Sequence, residues 1–172
     1  NSWKIKQHRD QFFKKSKTLG YRSRASFKLI ELNQKYKFLK KNTYLLDLGS
    51  YPGGWSQVVS QIISSGRIMS IDIKKMEPIK NVKFFKGDVL SKETKFAVLE
   101  YFKSNLDVIL SDMAADTTGN KSLDSIRTNQ LCADVINFSK ETLKPKGVLV
   151  SKIFMGEDFL EVKNLAKSTF NK

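Results

Sequence analysis

One segment, Leu45-Leu46-Asp47-Leu48-Gly49-Ser50-Tyr51-Pro52-Gly53-Gly54-Trp55, constrains the fold more than any other. The run Tyr44 to Leu48 is apolar apart from Asp47 and has the length of one strand in a covered parallel sheet. After Gly49, Gly53 and Gly54, the residues Trp55, Val58, Val59, Ile62 and Ile63 fall at helical spacing. Glycines in such a turn let the backbone approach a ligand and take conformations closed to other residues. Strand, glycine turn and helix together read as a nucleotide-type cofactor site, because ligands of open α/β sheets bind at the carboxyl edge of the strands. The loop is G-x-x-x-G-G with Pro52 inside, neither the G-x-G-x-x-G dinucleotide turn nor a Walker loop. S-adenosylmethionine is therefore the leading cofactor.

Further apolar runs recur at Arg67 to Ile73, Val82 to Phe85, Leu106 to Leu110 and Gly147 to Phe154. Between them, Glu93 to Phe102 places Phe96, Val98, Leu99 and Phe102 near one helical face. Leu123 to Leu143 carries Ile126, Leu131, Val135, Ile136 and Phe138 before Pro145-Lys146-Gly147 stops it. This β-α-β alternation predicts an α/β fold, a mostly parallel sheet with helices on both faces. Residues 10–19 and 25–38 read as two helices joined at Gly20-Tyr21. At 172 residues the chain reads as a single domain, with basic N-terminal helices over 1–41 and the sheet core over 42–172.

The net charge of +14 is unevenly spread. Residues 1–41 hold thirteen Lys or Arg against two acids, whereas residues 42–172 are nearly balanced. A basic N-terminal face on a balanced body points to a phosphate-rich partner. No apolar run reaches the length of a membrane span, so no membrane partner is expected. Cys132 is the only cysteine and His8 the only histidine, which excludes a disulfide framework, a thiolate metal cluster and histidine-based triads. A reducing, cytoplasmic setting fits, with the mitochondrial matrix as an alternative if a targeting segment was trimmed ahead of Asn1. A monomer is expected.

Three acids sit where strands finish. Asp72 closes the second, where an acid accepts hydrogen bonds from a ribose in either an adenosylmethionine or an NAD site. Asp88 follows the third and can accept from an adenine amino group. Asp112 follows the fourth. Lys152 lies in a strand pattern where another aliphatic residue would be expected, and Lys28 sits among Ala25, Phe27, Leu29, Ile30 and Leu32. Two lysines near an aspartate form an acid-base kit, since burial and a neighbouring cation make a neutral amine accessible. Removing a proton from a ribose hydroxyl is a task for such a base.

The strings SRASFKLIEL, LLDLGSYPGGWSQVV, IDIKKMEPI, KGDV, DVILSDMAADTTG and LVSKIFMGE occur in this order from Ser23 to Glu157. They resemble the FtsJ/RrmJ family of ribose 2′-O-methyltransferases, and within it the large-subunit ribosomal RNA uridine enzymes; the likeness runs from about Asp10 to Phe170. The resemblance implies the Rossmann-like adenosylmethionine-dependent methyltransferase fold, and methyl transfer from S-adenosylmethionine to a ribose 2′-hydroxyl, with no metal. It implies a cofactor loop at Gly49, Pro52, Gly53, Gly54 and Trp55, with Asp72 at the cofactor ribose and Asp88 at the adenine. Asp112 also lies beside the cofactor. The implied catalytic set is Lys28, Asp112 and Lys152, with Lys152 as proton acceptor. Ribosomal RNA in the large subunit is the implied partner, held by the basic residues 4–41.

Two departures stand out. The family's fourth catalytic-centre residue, a glutamate on a late strand, has no match before Lys172, so the C-terminal strands are expected to be missing. Many members carry Pro-Asn where this chain has Ala115-Asp116. The Asp there also resembles relatives that modify tRNA, which keeps the same chemistry on tRNA as the alternative. A non-catalytic RNA-binding relative is disfavoured by the intact Lys28, Asp112 and Lys152 set, and an NAD(P)-linked oxidoreductase by the Pro52 loop.

Overall fold

The computed structural model describes residues 14–170. Residues 14–18 are helical, and the first part of the helix expected over 10–19 lies outside the described residues. The elements then run α1 (Ala25–Tyr36), β1 (Tyr44–Leu48), α2 (Gly54–Ile62), β2 (Arg67–Asp72), β3 (Val82–Lys86) and α3 (Lys92–Phe102). They continue with β4 (Leu106–Ser111), α4 (Lys121–Thr142), β5 (Leu143–Ser151) and α5 (Phe159–Thr169).

The five strands form one sheet in the order β3-β2-β1-β4-β5, and every neighbouring pair is parallel. Both faces are covered, which is why the central strands read as continuous apolar runs. One layer packs Leu29 of α1 and Trp55, Val58 and Val59 of α2 on Leu45, Ile68, Val108 and Leu110. The other packs Val98 and Phe102 of α3 and Val135 of α4 on Leu46, Leu48, Met69, Ile71 and Ile109. The strand order reverses between β1 and β4, so the connections that follow their paired carboxyl ends leave toward opposite faces of the sheet, with a crevice between them.

Three expectations are corrected. On α3 the buried side chains are Thr94, Val98 and Phe102, while Phe96 and Leu99 are exposed. The first half of α4 buries polar residues, Asp124, Ser125, Thr128 and Asn129, and exposes Ile126. The last strand begins at Leu143 and ends at Ser151 instead of spanning 147–154. Leu143 pairs with Leu106 and Val148 with Val108, so residues 144–147 stand opposite Asp107 alone. Pro145-Lys146-Gly147 thus makes a bulge within β5, a place where a strand tolerates proline.

Candidate active site

Each strand delivers a polar group to the carboxyl edge. A cavity of about 420 Å³ opens there, lined by Asp72, Asp88, Asp112 and Asp116 and by apolar side chains including Ile73 and Val89. A smaller cavity of about 170 Å³ shares Gly49, Tyr51 and Asp112 with it and reaches Arg24, Pro52, Gly54 and Trp55.

Asp72 is nearly buried, and its two carboxylate oxygens accept the backbone N–H groups of Tyr51 (2.9 Å) and Lys74 (2.8 Å). One oxygen holds the glycine turn and the other the loop after β2, and each retains acceptor capacity toward the cavity. Asp88 accepts from the Leu90 N–H at 3.0 Å. Asp112 pairs with Lys152, Oδ1 to Nζ at 3.4 Å, and each side chain remains about one-third exposed. Lys152 is the first residue past β5, and its N–H donates to the Ser111 carbonyl at 2.8 Å. Lysine and aspartate therefore face each other because two neighbouring parallel strands end in register. The Lys152 ammonium also lies 5.6 Å from the centre of the Phe154 ring.

Lys28 makes its ion pair with Glu31 and not with Asp112. It lies on the exposed side of α1, with a side chain 68% exposed and its Nζ 3.7 Å from Glu31 one turn on. Its apolar neighbours in sequence occupy other faces of the helix, Leu29 being fully buried. The residues ahead of it, Ser23, Arg24 and Ala25, line the smaller cavity.

The glycine turn makes room first for the protein's own segments. Gly49 has φ +70°, and a Cβ there would lie 2.3 Å from Met113 Cγ; a Cβ on Gly54 would lie 2.1 Å from Ser23 Oγ. Pro52 accepts from the Arg22 guanidinium at 3.4 Å, and the Trp55 indole N–H donates to the Ala25 carbonyl at 2.8 Å. The turn is thus a junction at which α1, α2, β1 and the loop after β4 meet.

Asp47 lies behind that junction and was not among the expected site residues, although it interrupts an otherwise apolar strand. It is buried and accepts from Ser56 Oγ at 2.5 Å; Ser56 in turn contacts Ser70 Oγ at 2.7 Å. Burial, opposed in part by the Ser56 bond and reinforced by Asp112 and Asp72, pushes its carboxyl up to about 7. Asn129 was also missed. It is fully buried on α4 and binds the backbone of Phe154 through both ends of its side-chain amide. No period in the sequence marks it, since its partners lie 25 residues away. Among the described residues no cluster of His, Cys, Asp and Glu is arranged to hold a metal ion, and no helix is long and apolar enough to cross a membrane.

Known proteins resemble this chain in sequence and fold. The family model described as FtsJ-like methyltransferase matches residues 21–172. The chain is 44% identical over 171 residues to a protein of Pelagibacter ubique named "Ribosomal RNA large subunit methyltransferase E", covering 99% of this chain and 84% of that one. A crystal structure of a Plasmodium falciparum protein described as a ribosomal RNA methyltransferase superposes with a TM-score of 0.81 at 34% identity, over 88% of each chain. A Streptococcus mutans protein described as a methyltransferase, solved with SAH, shares the fold at a TM-score of 0.52 and 16% identity, over 80% of this chain and 76% of that one. With a covered parallel sheet, a glycine turn at its switch point and acids at successive strand ends, the chain belongs to the FtsJ-like methyltransferase family.

Proposed function

We propose that this enzyme transfers a methyl group from S-adenosylmethionine to the 2′-hydroxyl of a uridine ribose in large-subunit ribosomal RNA. The observation that carries the reading is the Lys152–Asp112 pair, whose aspartate lines the acid-lined cavity. The names of the relatives support the choice of RNA.

The residues fit the cofactor. The cavity's carboxylates favour a cationic ligand, and Asp72 and Asp88 present acceptors to ribose hydroxyls and to an adenine amino group. Ile73, Val89 and Leu90 supply the apolar wall an adenine needs, while Arg24 in the smaller cavity supplies charge for an amino-acid carboxylate. The bound cofactor contributes a methyl group already activated on a sulfonium.

The protein has two tasks left, alignment and removal of one proton. Lys152 Nζ would accept the 2′-hydroxyl proton as that oxygen takes the methyl group, and S-adenosylhomocysteine would leave as product. Asp112 orients the amine beforehand and holds the ammonium afterwards. Because Lys152 is one-third exposed, the proton can pass on to water. Lys28, largely exposed on α1, is assigned to favour the neutral form of Lys152 once RNA is bound and to contact the RNA backbone together with the basic residues around it.

The test is to incubate the full-length protein with S-adenosylmethionine and large ribosomal subunits, free ribosomal RNA or tRNA, and to map 2′-O-methylation. A 2′-O-methyluridine in large-subunit RNA is the expected product. Methylation confined to tRNA, or to a base, would overturn the reading.

A further inference from the structure

We infer that Asn129 is a positioning residue for Lys152, an inference that rests on the assignment of Lys152 as the base. Lys152 has left the sheet: β5 ends at Ser151, and the last bond to β4 is the one from Lys152 N–H to the Ser111 carbonyl. Nothing in the β-ladder holds the next two residues. Two positions on, Asn129 takes over. Its Oδ1 accepts the Phe154 N–H at 2.8 Å, and its Nδ2 donates to the Phe154 carbonyl at 2.9 Å. A side-chain amide bound to both backbone groups of one residue reproduces the pairing a neighbouring strand would have given. The second Nδ2 hydrogen goes to Asp158 Oδ1 at 2.8 Å, at the start of α5.

Both Nδ2 donors and one of the two Oδ1 lone pairs of this buried amide are thereby used, and its orientation is forced, because Phe154 presents one donor and one acceptor. The backbone of Lys152 is fixed on one side by β4 and on the other by α4. A second contact on the same helical face supports the clamp. Gly156 lies against Ser125, four residues before Asn129, so closely that a Cβ would come within 2.0 Å of Ser125 Oγ. Two anchors one turn apart therefore lay the segment after Lys152 along α4. The clamp also sets the Phe154 ring beside the Lys152 ammonium. The fold itself has other support here: Cys132, Ile136 and Val162 join α4 to α5 through an apolar cluster.

Loosening the clamp should misplace the base without disturbing the cofactor cavity, whose acids lie on other strands. Asn129→Asp keeps the acceptor for Phe154 N–H but turns the donor into an oxygen facing the Phe154 carbonyl and Asp158. In the full-length protein its kcat should fall about 10- to 100-fold, with the KM for RNA and the calorimetric Kd for S-adenosylmethionine unchanged. Adding Asp158→Asn returns a donor to the 129–158 contact but not to the Phe154 carbonyl, so the double variant should recover little of the lost kcat. If Asn129→Asp does not fold, Asn129→Gln, which keeps the amide one methylene out of place, is read by the same split. A Lys152→Ala control separates the two ideas. Full activity in that control overturns the base assignment and this inference with it. An inactive control beside wild-type kcat in the Asn129 variant overturns this inference alone, as does a loss that falls on cofactor affinity or is fully relieved by Asp158→Asn.

Discussion

Lys152 and Asp112 are brought together by the ends of two strands, so the lysine can be changed without removing anything from the core. Lys152→Ala in the full-length protein should lower turnover about 100-fold or more while leaving S-adenosylmethionine affinity unchanged by calorimetry. Lys152→Arg should not rescue it, because a guanidinium does not give up its proton near neutrality. Asp47 makes a different prediction. Its folded-state value of about 7 lies above the ordinary 3.8, so the folded protein keeps a proton that the unfolded chain has released. The stability this contributes is complete below about pH 4 and is lost as pH rises toward 7. Asp47→Asn cannot lose that proton. In urea melts across pH 4 to 8 its stability relative to wild type should rise through this window, by on the order of 4 kcal/mol at most. Residues at strand ends were legible in the sequence because a strand followed by glycine or a helix announces its own carboxyl end. Asp47 and Asn129 were not, because what gives them importance is a partner distant in sequence.

At the scale of elements, the glycine turn joins α1 to α2 through a gap that admits no side chain. Gly54→Ala would press its methyl group against Ser23 Oγ and should cost about 1–3 kcal/mol in a denaturant melt. Ser23→Gly in the same chain should return most of that loss, which a change in helix propensity alone would not allow. The five strands and their parallel order followed from apolar runs alternating with helical patterns. Helix faces were less legible. Phe96 and Leu99 on α3 belong to the periodic set yet face solvent, and the polar side of α4 is buried. That polar side meets loops whose backbone must be hydrogen-bonded, as Thr128 does for Ala115 N–H and Asp124 for Thr118 N–H. A hydrophobic pattern cannot report a face built to satisfy backbone. The end of β5 was misplaced for a related reason, since Ile153 and Phe154 continue the apolar run after the ladder has stopped.

For the molecule as a whole, the basic excess and the acid-lined cavity occupy different parts of the chain. The basic excess lies in residues 1–41, and the carboxylates of the cavity come from β2 onward. Reversing Lys14, Lys15 and Lys17 to Glu should therefore weaken RNA binding and lower the slope of log K against log salt by up to about 3, with cofactor affinity retained. Filter binding over a salt series measures both, and an unchanged slope would move the RNA contact away from this arm. Between the two regions stands Trp55, 7% exposed, with its indole N–H on the Ala25 carbonyl and its ring in the wall of the smaller cavity. The chain has one other tryptophan, Trp3. With Trp3→Phe, the protein's own ultraviolet emission becomes a single-site gauge of the joint between α1 and the glycine turn. The polarity around one ring then reports, without any attached dye, whether α1 is seated.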